Sequence, residues 1–94
     1  MVERIAVKVA VTGKVQGVGY RAWCAAEAEK LELYGFVRNR IDGSVEALFV
    51  GGQMQVDAMV KACGEGPAYA AVESVITQDA KGLVPPKFQV KPTV

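Results

Sequence analysis

The stretch GFVRNRIDGSVEALFVGG, residues 35 to 52, holds two β-rich runs, Phe36 to Ile41 and Ser44 to Val50, joined by Asp42-Gly43. That pair suits the positive φ angles of a tight hairpin turn, so the two runs are expected to lie antiparallel, side by side. Upstream, Ile5, Val7, Val9 and Val11 alternate with Arg4, Lys8 and Thr12, the period-two pattern of a strand with one face on a core. Between strand and hairpin, RAWCAAEAEKLEL, Arg21 to Leu33, is rich in helix formers and puts Cys24, Ala28 and Leu31 on one face. Downstream, Val56, Met59, Val60 and Cys63 stand at i, i+3, i+4 and i+7, a stripe one helix face wide, and Gly64 is placed to end that helix. GEGP then reads as a turn, YAAVESVITQ as a fourth strand, and PPKFQV as a short closing edge strand in which prolines are tolerated.

Two crossovers and one hairpin in the order βαββαβ describe an α/β sandwich of the α+β class. Right-handed connections put both helices on one face of an antiparallel sheet, with strand three between strands one and two and a short extra C-terminal strand. This is the ferredoxin-like plan, expected to occupy residues 1–94 as one domain. A chain of this length buries roughly 60 to 70% of its unfolded surface, enough for one core. The helices run antiparallel in this plan, which brings Cys24 near the start of one toward Cys63 near the end of the other; free thiols and a disulfide both remain open.

Composition narrows the function. With 51% hydrophobic and 22% charged residues and a formal charge of +1, the chain has neither the basic excess of a nucleic-acid binder nor an acidic tail. MVERIAVKVA carries Glu3, Arg4 and Lys8 among its apolar letters, so it is expected to be neither a signal peptide nor a membrane span, and a cytoplasmic location follows as the default. There is no histidine, and two distant cysteines make no metal-binding spacing. No cofactor or metal is expected. Any enzyme here works without imidazole, the commonest proton carrier near neutral pH.

The candidate chemistry lies in GKVQGVGYR, residues 13 to 21. Glycines reach φ values closed to other residues, and successive N–H groups curled around a turn form a concavity that binds anions. At a helix start the loop also gains partial positive charge, and Arg21 adds a planar fork for two phosphate oxygens. A plain β-to-α turn is the competing reading of the same glycines. The loop lacks the Gly-Lys-Ser/Thr ending of a Walker motif. GVGYRA matches Gly-x-Gly-x-x-Ala with Asp42 about 20 residues on, but Asp42 belongs to a hairpin rather than to a parallel βαβ unit, which removes the dinucleotide reading. In FVRNRI, Asn39 shares a strand face with Val37 and Ile41, whereas Arg38 and Arg40 face solvent. An amide among apolar neighbours needs partners or a wet cleft, because burial without them costs about 1–3 kcal/mol. Strands one and two run parallel in this plan, so Arg21 and Asn39 reach the same sheet edge and can face one cleft.

VTGKVQGVGYRAW, GFVRNRIDGSVEALFVGG and GPAYAAVESV together resemble the acylphosphatase family, over nearly the whole chain from Val9 to Val90. The resemblance implies the fold set out above and hydrolysis of the carboxyl-phosphate bond of acyl phosphates without a metal. It implies that Val15, Gln16, Gly17, Val18, Gly19 and Tyr20 with Arg21 bind the phosphate and that Asn39 orients the attacking water, Arg21 and Asn39 being the catalytic pair. A small acyl phosphate is the implied partner, with no nucleic acid and no membrane, and the chain is expected to act as a monomer. Two departures stand out: Glu32 occupies the place between two leucines where the family usually has Gly, and Phe36 one where it often has Trp. Glu32 bears on the end of helix one more than on catalysis. The chief rival is a non-catalytic anion-sensing module that keeps the loop and Arg21. An RNA-binding sheet is disfavoured, since Phe49 alternates with Val45 and Ala47 as a core residue. Trp23 reads as a half-buried helix residue and Lys14 as a solvated or anion-steering one.

Overall fold

Alternating Val residues close one face of β1, Arg4–Lys14, and bring Val9 and Val11 to zero exposure. The computed structural model describes residues 4–81 and 87–94. After β1 come α1 (Tyr20–Lys30), β2 (Tyr34–Asn39), β3 (Val45–Gly52), α2 (Gln53–Glu65), β4 (Ala71–Asp79) and β5 (Phe88–Val90). The strands form one sheet in the order β4-β1-β3-β2-β5. β3 is antiparallel to both β1 and β2, β4 is antiparallel to β1, and β5 lies parallel to β2. The sheet is therefore mixed, where the sequence suggested an antiparallel one: β5 occupies the edge opposite β4 and runs in the same direction as β2. Pro85 and Pro86 lie outside the described residues.

Both helices cover the same face. Tyr20, Cys24 and Ala28 of α1 and Val56, Met59 and Cys63 of α2 are buried against Val9, Val11, Val37, Val45, Ala47 and Phe49 of the sheet. Phe88 carries the core onto β5 and stacks on Phe49 with ring centroids 5.7 Å apart. None of the described helices is long and apolar enough to cross a membrane.

Both helix ends differ from the sequence expectation. α2 runs through Gly64 to Glu65 and stops at Gly66, whose φ of 70° and N–H bond to the Ala62 carbonyl end it. Gly64 therefore sits inside the helix, since a single glycine costs only about 1 kcal/mol there. α1 stops at Lys30, short of the expected Leu33. Glu32 takes a φ of 56°, while the Glu32 amide bonds to the Glu29 carbonyl and the Leu33 amide to the Ala28 carbonyl. These two bonds form a Schellman cap, whose left-handed position normally holds glycine.

On the uncovered sheet face, Glu46 is 6% exposed and ion-paired to Arg38 at 2.6 Å, Arg40 at 3.3 Å and Lys8 at 3.4 Å. Burial on its own would raise this carboxyl, but the hydrogen bond and charge of Arg38, followed by Lys8, hold it below the ordinary value. Its stabilisation is therefore complete above the unfolded glutamate value of about 4.3 and is lost as pH falls through the lower folded value. Glu46→Gln is expected to cost about 1–2 kcal/mol at neutral pH. That difference should vanish near pH 2, as measured by urea melts at both pH values. Glu32→Gly removes a left-handed strain of about 1–2 kcal/mol, partly offset by glycine's added chain entropy. We expect a melting temperature about 2–6 °C higher by scanning calorimetry, and a fall would show that the cap tolerates Glu32 without strain.

Candidate active site

Three glycines surround the β1-to-α1 connection, and the structure gives them two different tasks. Gly13 lies at a β-bulge in the β1–β4 pairing, where an added Cβ would stand 2.3 Å from the Ala71 carbonyl oxygen. It lets β4 approach and takes no part in the loop's cradle. Gly17 and Gly19 have φ of 73° and 79°, and a Cβ at either would meet nothing within 4 Å. Their requirement is purely conformational: left-handed backbone at alternate positions turns the loop.

Gly19 also begins α1, with no side-chain cap and no acidic residue in the first turn. Trp23 N–H closes the first helical bond, to the Gly19 carbonyl at 3.1 Å. No amide from Gly17 to Ala22 finds an acceptor among the described residues. Unpaired donors at a helix start concentrate partial positive charge, the condition for holding an anion.

A cavity of about 330 Å³ opens beside this loop. Val15, Gln16, Gly17, Gly19, Tyr20 and Arg21 line it, together with Ala22, Asn39 and Val90. Arg21 and Asn39 thus share one hollow, as the topology required. Val18 does not line the cavity; its side chain packs against the core. Arg21 has no carboxylate within ion-pairing distance among the described residues. Asn39 Oδ1 is buried and has no hydrogen-bond partner among them. Left so, such an atom costs about 1–3 kcal/mol.

Gln16 contributes something its place in the loop did not disclose. Its Nε2 donates to the Arg40 carbonyl at 2.8 Å and to the Ser44 carbonyl at 2.9 Å. Both carbonyls belong to the β2–β3 hairpin, in which Arg40 N–H also bonds to the Ser44 carbonyl at 2.8 Å. One side chain therefore ties the amide loop to the segment that follows Asn39, leaving only its backbone N–H for an anion. The only sequence cue is an amide side chain in an otherwise small and apolar loop. Tyr20 anchors the other end: it is 2% exposed, and its hydroxyl donates to the Cys63 carbonyl of α2 at 2.8 Å. Burial, and then the neighbouring Cys63, push its phenol well above the ordinary value, so it stays protonated as a structural donor. Trp23, partly buried, meets the Tyr20 ring edge-on at 5.2 Å.

A family model described as acylphosphatase matches residues 7–90. An acylphosphatase of Rhizorhabdus wittichii is 46% identical over 92 residues, spanning 98% of this chain and 93% of that protein. One of Azorhizobium caulinodans is 51% identical over 87 residues, spanning 89% and 91%. Among solved structures, an acylphosphatase from Coxiella burnetii superposes with a TM-score of 0.90 at 33% identity, covering 94% of this chain and 93% of the other.

Gln16→Ala should free the loop from the hairpin while leaving Arg21 and Asn39 in place. Two carbonyls lose a donor, for an expected loss of about 1–2 kcal/mol in stability. Misplacement of the loop relative to Asn39 should lower kcat/KM for an acyl phosphate by about ten-fold or more. Wild-type kinetics in a stable Gln16→Ala protein would show that the tie is dispensable.

Proposed function

Because the chain belongs to the acylphosphatase family, we propose that its loop amides and Arg21 grip the phosphoryl group of an acyl phosphate while Asn39 aims the water that attacks it. The enzyme hydrolyses the carboxyl-phosphate bond of acyl phosphates, releasing a carboxylate and inorganic phosphate. The observation that supports these residue roles is the shared cavity, which the permanently charged Arg21 and the carboxamide residue Asn39 both line.

In this reading the amides from Val15 to Tyr20 and the Arg21 guanidinium bind the non-bridging phosphoryl oxygens. The fork takes two oxygens at once, and the loop N–H groups need no reorganisation as charge shifts onto those oxygens. Asn39 Oδ1 accepts one hydrogen of a water and points the water's lone pair at phosphorus. The water oxygen bonds to phosphorus as the bond to the acyl oxygen breaks, and the electron pair leaves with the carboxylate. A carboxylate of pKa about 4 departs without being protonated, which removes any need for a general acid. The transferring group passes through a loose transition state that asks mainly for positioning and charge stabilisation. Ordinary phosphate esters, with much more basic leaving groups, should be poor substrates.

We take residues 1–94 as one catalytic unit acting as a monomer. The two unpaired cysteines accord with a reducing compartment such as the cytoplasm.

Benzoyl phosphate hydrolysis in the presence of chelator tests the assignment. Turnover by the wild type should be insensitive to chelation. Arg21→Lys keeps the charge but loses the fork, so KM should rise steeply and inorganic phosphate should cease to inhibit. Asn39→Ala should leave KM close to wild type and lower kcat by about 10² to 10³, the scale of losing one preorganised group that acts in the transition state. An Asn39→Ala enzyme with unchanged kcat would remove Asn39 from the mechanism.

A further inference from the structure

Asn39 is the last residue of β2, and its backbone is held by a segment that the proposed chemistry leaves out. β5 pairs with β2 from Gly35 and Phe88 to Val37 and Val90, and the bonds continue beyond that ladder. Lys91 N–H donates to the Val37 carbonyl at 2.9 Å, Val94 N–H to the Asn39 carbonyl at 3.2 Å, and Ile41 N–H to the Val94 main-chain oxygen at 2.8 Å. The Val37 and Asn39 carbonyls lie two residues apart, whereas their donors lie three apart. Residues 91–94 therefore bulge by one residue beside Asn39, at Pro92 and Thr93, and Pro92 has no N–H to give. On its other side Asn39 pairs with Val45 of β3. A peptide unit is planar, so fixing the Asn39 carbonyl fixes ψ at Asn39 and with it the course of the chain leaving the strand. Strand ends otherwise open readily.

We propose that residues 91–94 are a positioning strap of the active site: the Val94 main chain, bonded to Asn39 and Ile41 on the side away from β3, holds the end of β2 so that the Asn39 side chain keeps one direction. The inference rests on the role given to Asn39 above and adds the residue that aims it. Val94 is thus a positioning residue that acts through its backbone and touches no substrate. Val90, the last residue of β5 before the strap, lines the cavity with Arg21 and Asn39, so the strap begins at the site itself. None of residues 91–94 has a buried side chain, and Ile41 is exposed. The strap therefore adds nothing to the core, and loosening it should appear in turnover while the fold survives. The amide loop and Arg21 make no bond to it, so binding of the phosphoryl group should not depend on it.

The test compares Val94→Pro, which removes the N–H that the Asn39 carbonyl accepts, with Val94→Ala, which keeps it. With benzoyl phosphate, kcat of Val94→Pro should lie about ten-fold below that of Val94→Ala, while KM and inhibition by inorganic phosphate agree between the two. Ile41→Pro breaks the second link at a position that accepts proline. Gly43 N–H bonds to the Arg40 carbonyl at 3.1 Å, which makes Ile41 the second residue of a β-turn. Its kcat should fall in the same way, with a cooperative thermal melt retained. Joining Val94→Pro to Asn39→Ala should give the kcat of Asn39→Ala alone, because aiming an absent amide changes nothing, whereas a merely structural strap would lower it further. Equal kcat in Val94→Pro and Val94→Ala, a rise in KM without a fall in kcat, or an additive loss in the double variant would overturn the inference and leave the role of Asn39 standing. A fully active Asn39→Ala would overturn both.

Discussion

Val45 pairs with Val11 of β1 on one side and with Asn39 of β2 on the other. That register, at the first residue of β3, sets the distance between the two halves of the site. Neighbouring strands lie about 4.8 Å apart, so the end of β1 and the end of β2 stand about 10 Å apart across β3. Arg21 and Asn39 line one cavity from those two ends. A one-residue slip of β3 against either neighbour would turn Asn39 to the solvent face or displace the amide loop along the sheet. Val45 itself is wholly buried, and burial on one face is what makes such a slip costly.

The parts of the fold legible in the sequence are those set by period and by turn chemistry. Valines alternating through β1, the Asp42-Gly43 turn and the i, i+3, i+4, i+7 stripe of α2 each carry their own geometry, and together they leave few topologies. Asn39 was legible as an amide on an apolar face, and Arg21 as a fixed charge at a helix start. Three features were not. The end of α1 turns on Glu32 at a left-handed position, where local preference argues for glycine and the caps to Ala28 and Glu29 prevail. The parallel pairing of β5 depends on which sheet edge the chain reaches, and no local period encodes that. The tie from Gln16 to the hairpin joins residues 24 and more positions apart, a separation that propensity arguments do not span.

The hairpin turn also shows why the loop and the turn must be considered together. Asp42 accepts hydrogen bonds from the Ser44 amide at 2.9 Å and the Ser44 hydroxyl at 2.6 Å, which lower its carboxyl below the ordinary value. The Asp42 bonds to Ser44 help hold the turn in which the Ser44 carbonyl receives both Arg40 N–H and Gln16 Nε2. Three polar side chains thus connect turn, loop and strand end, and none of them needs to touch substrate. Site geometry at this scale rests on backbone carbonyls presented at fixed positions, which explains how a chain without histidine can still hold two walls of a cavity in register.

The site carries a cost in the unliganded fold. Among the described residues Asn39 Oδ1 has no partner, and the amides at the start of α1 have no capping side chain. Each such group forgoes about 1 kcal/mol or more that an ordinary cap or partner would contribute. The rest of the structure offsets this through the core that Val9, Val11, Val37, Phe49 and Met59 close without exposed surface. Capping the helix with an aspartate at Gly19 would recover part of the deficit, but it would place a carboxylate in the cavity that Arg21 and Asn39 line and force a side chain into left-handed backbone. On the reading proposed above, these are the groups that meet the transition state, and a site made ready before the substrate arrives loses nothing to rearrangement when charge moves.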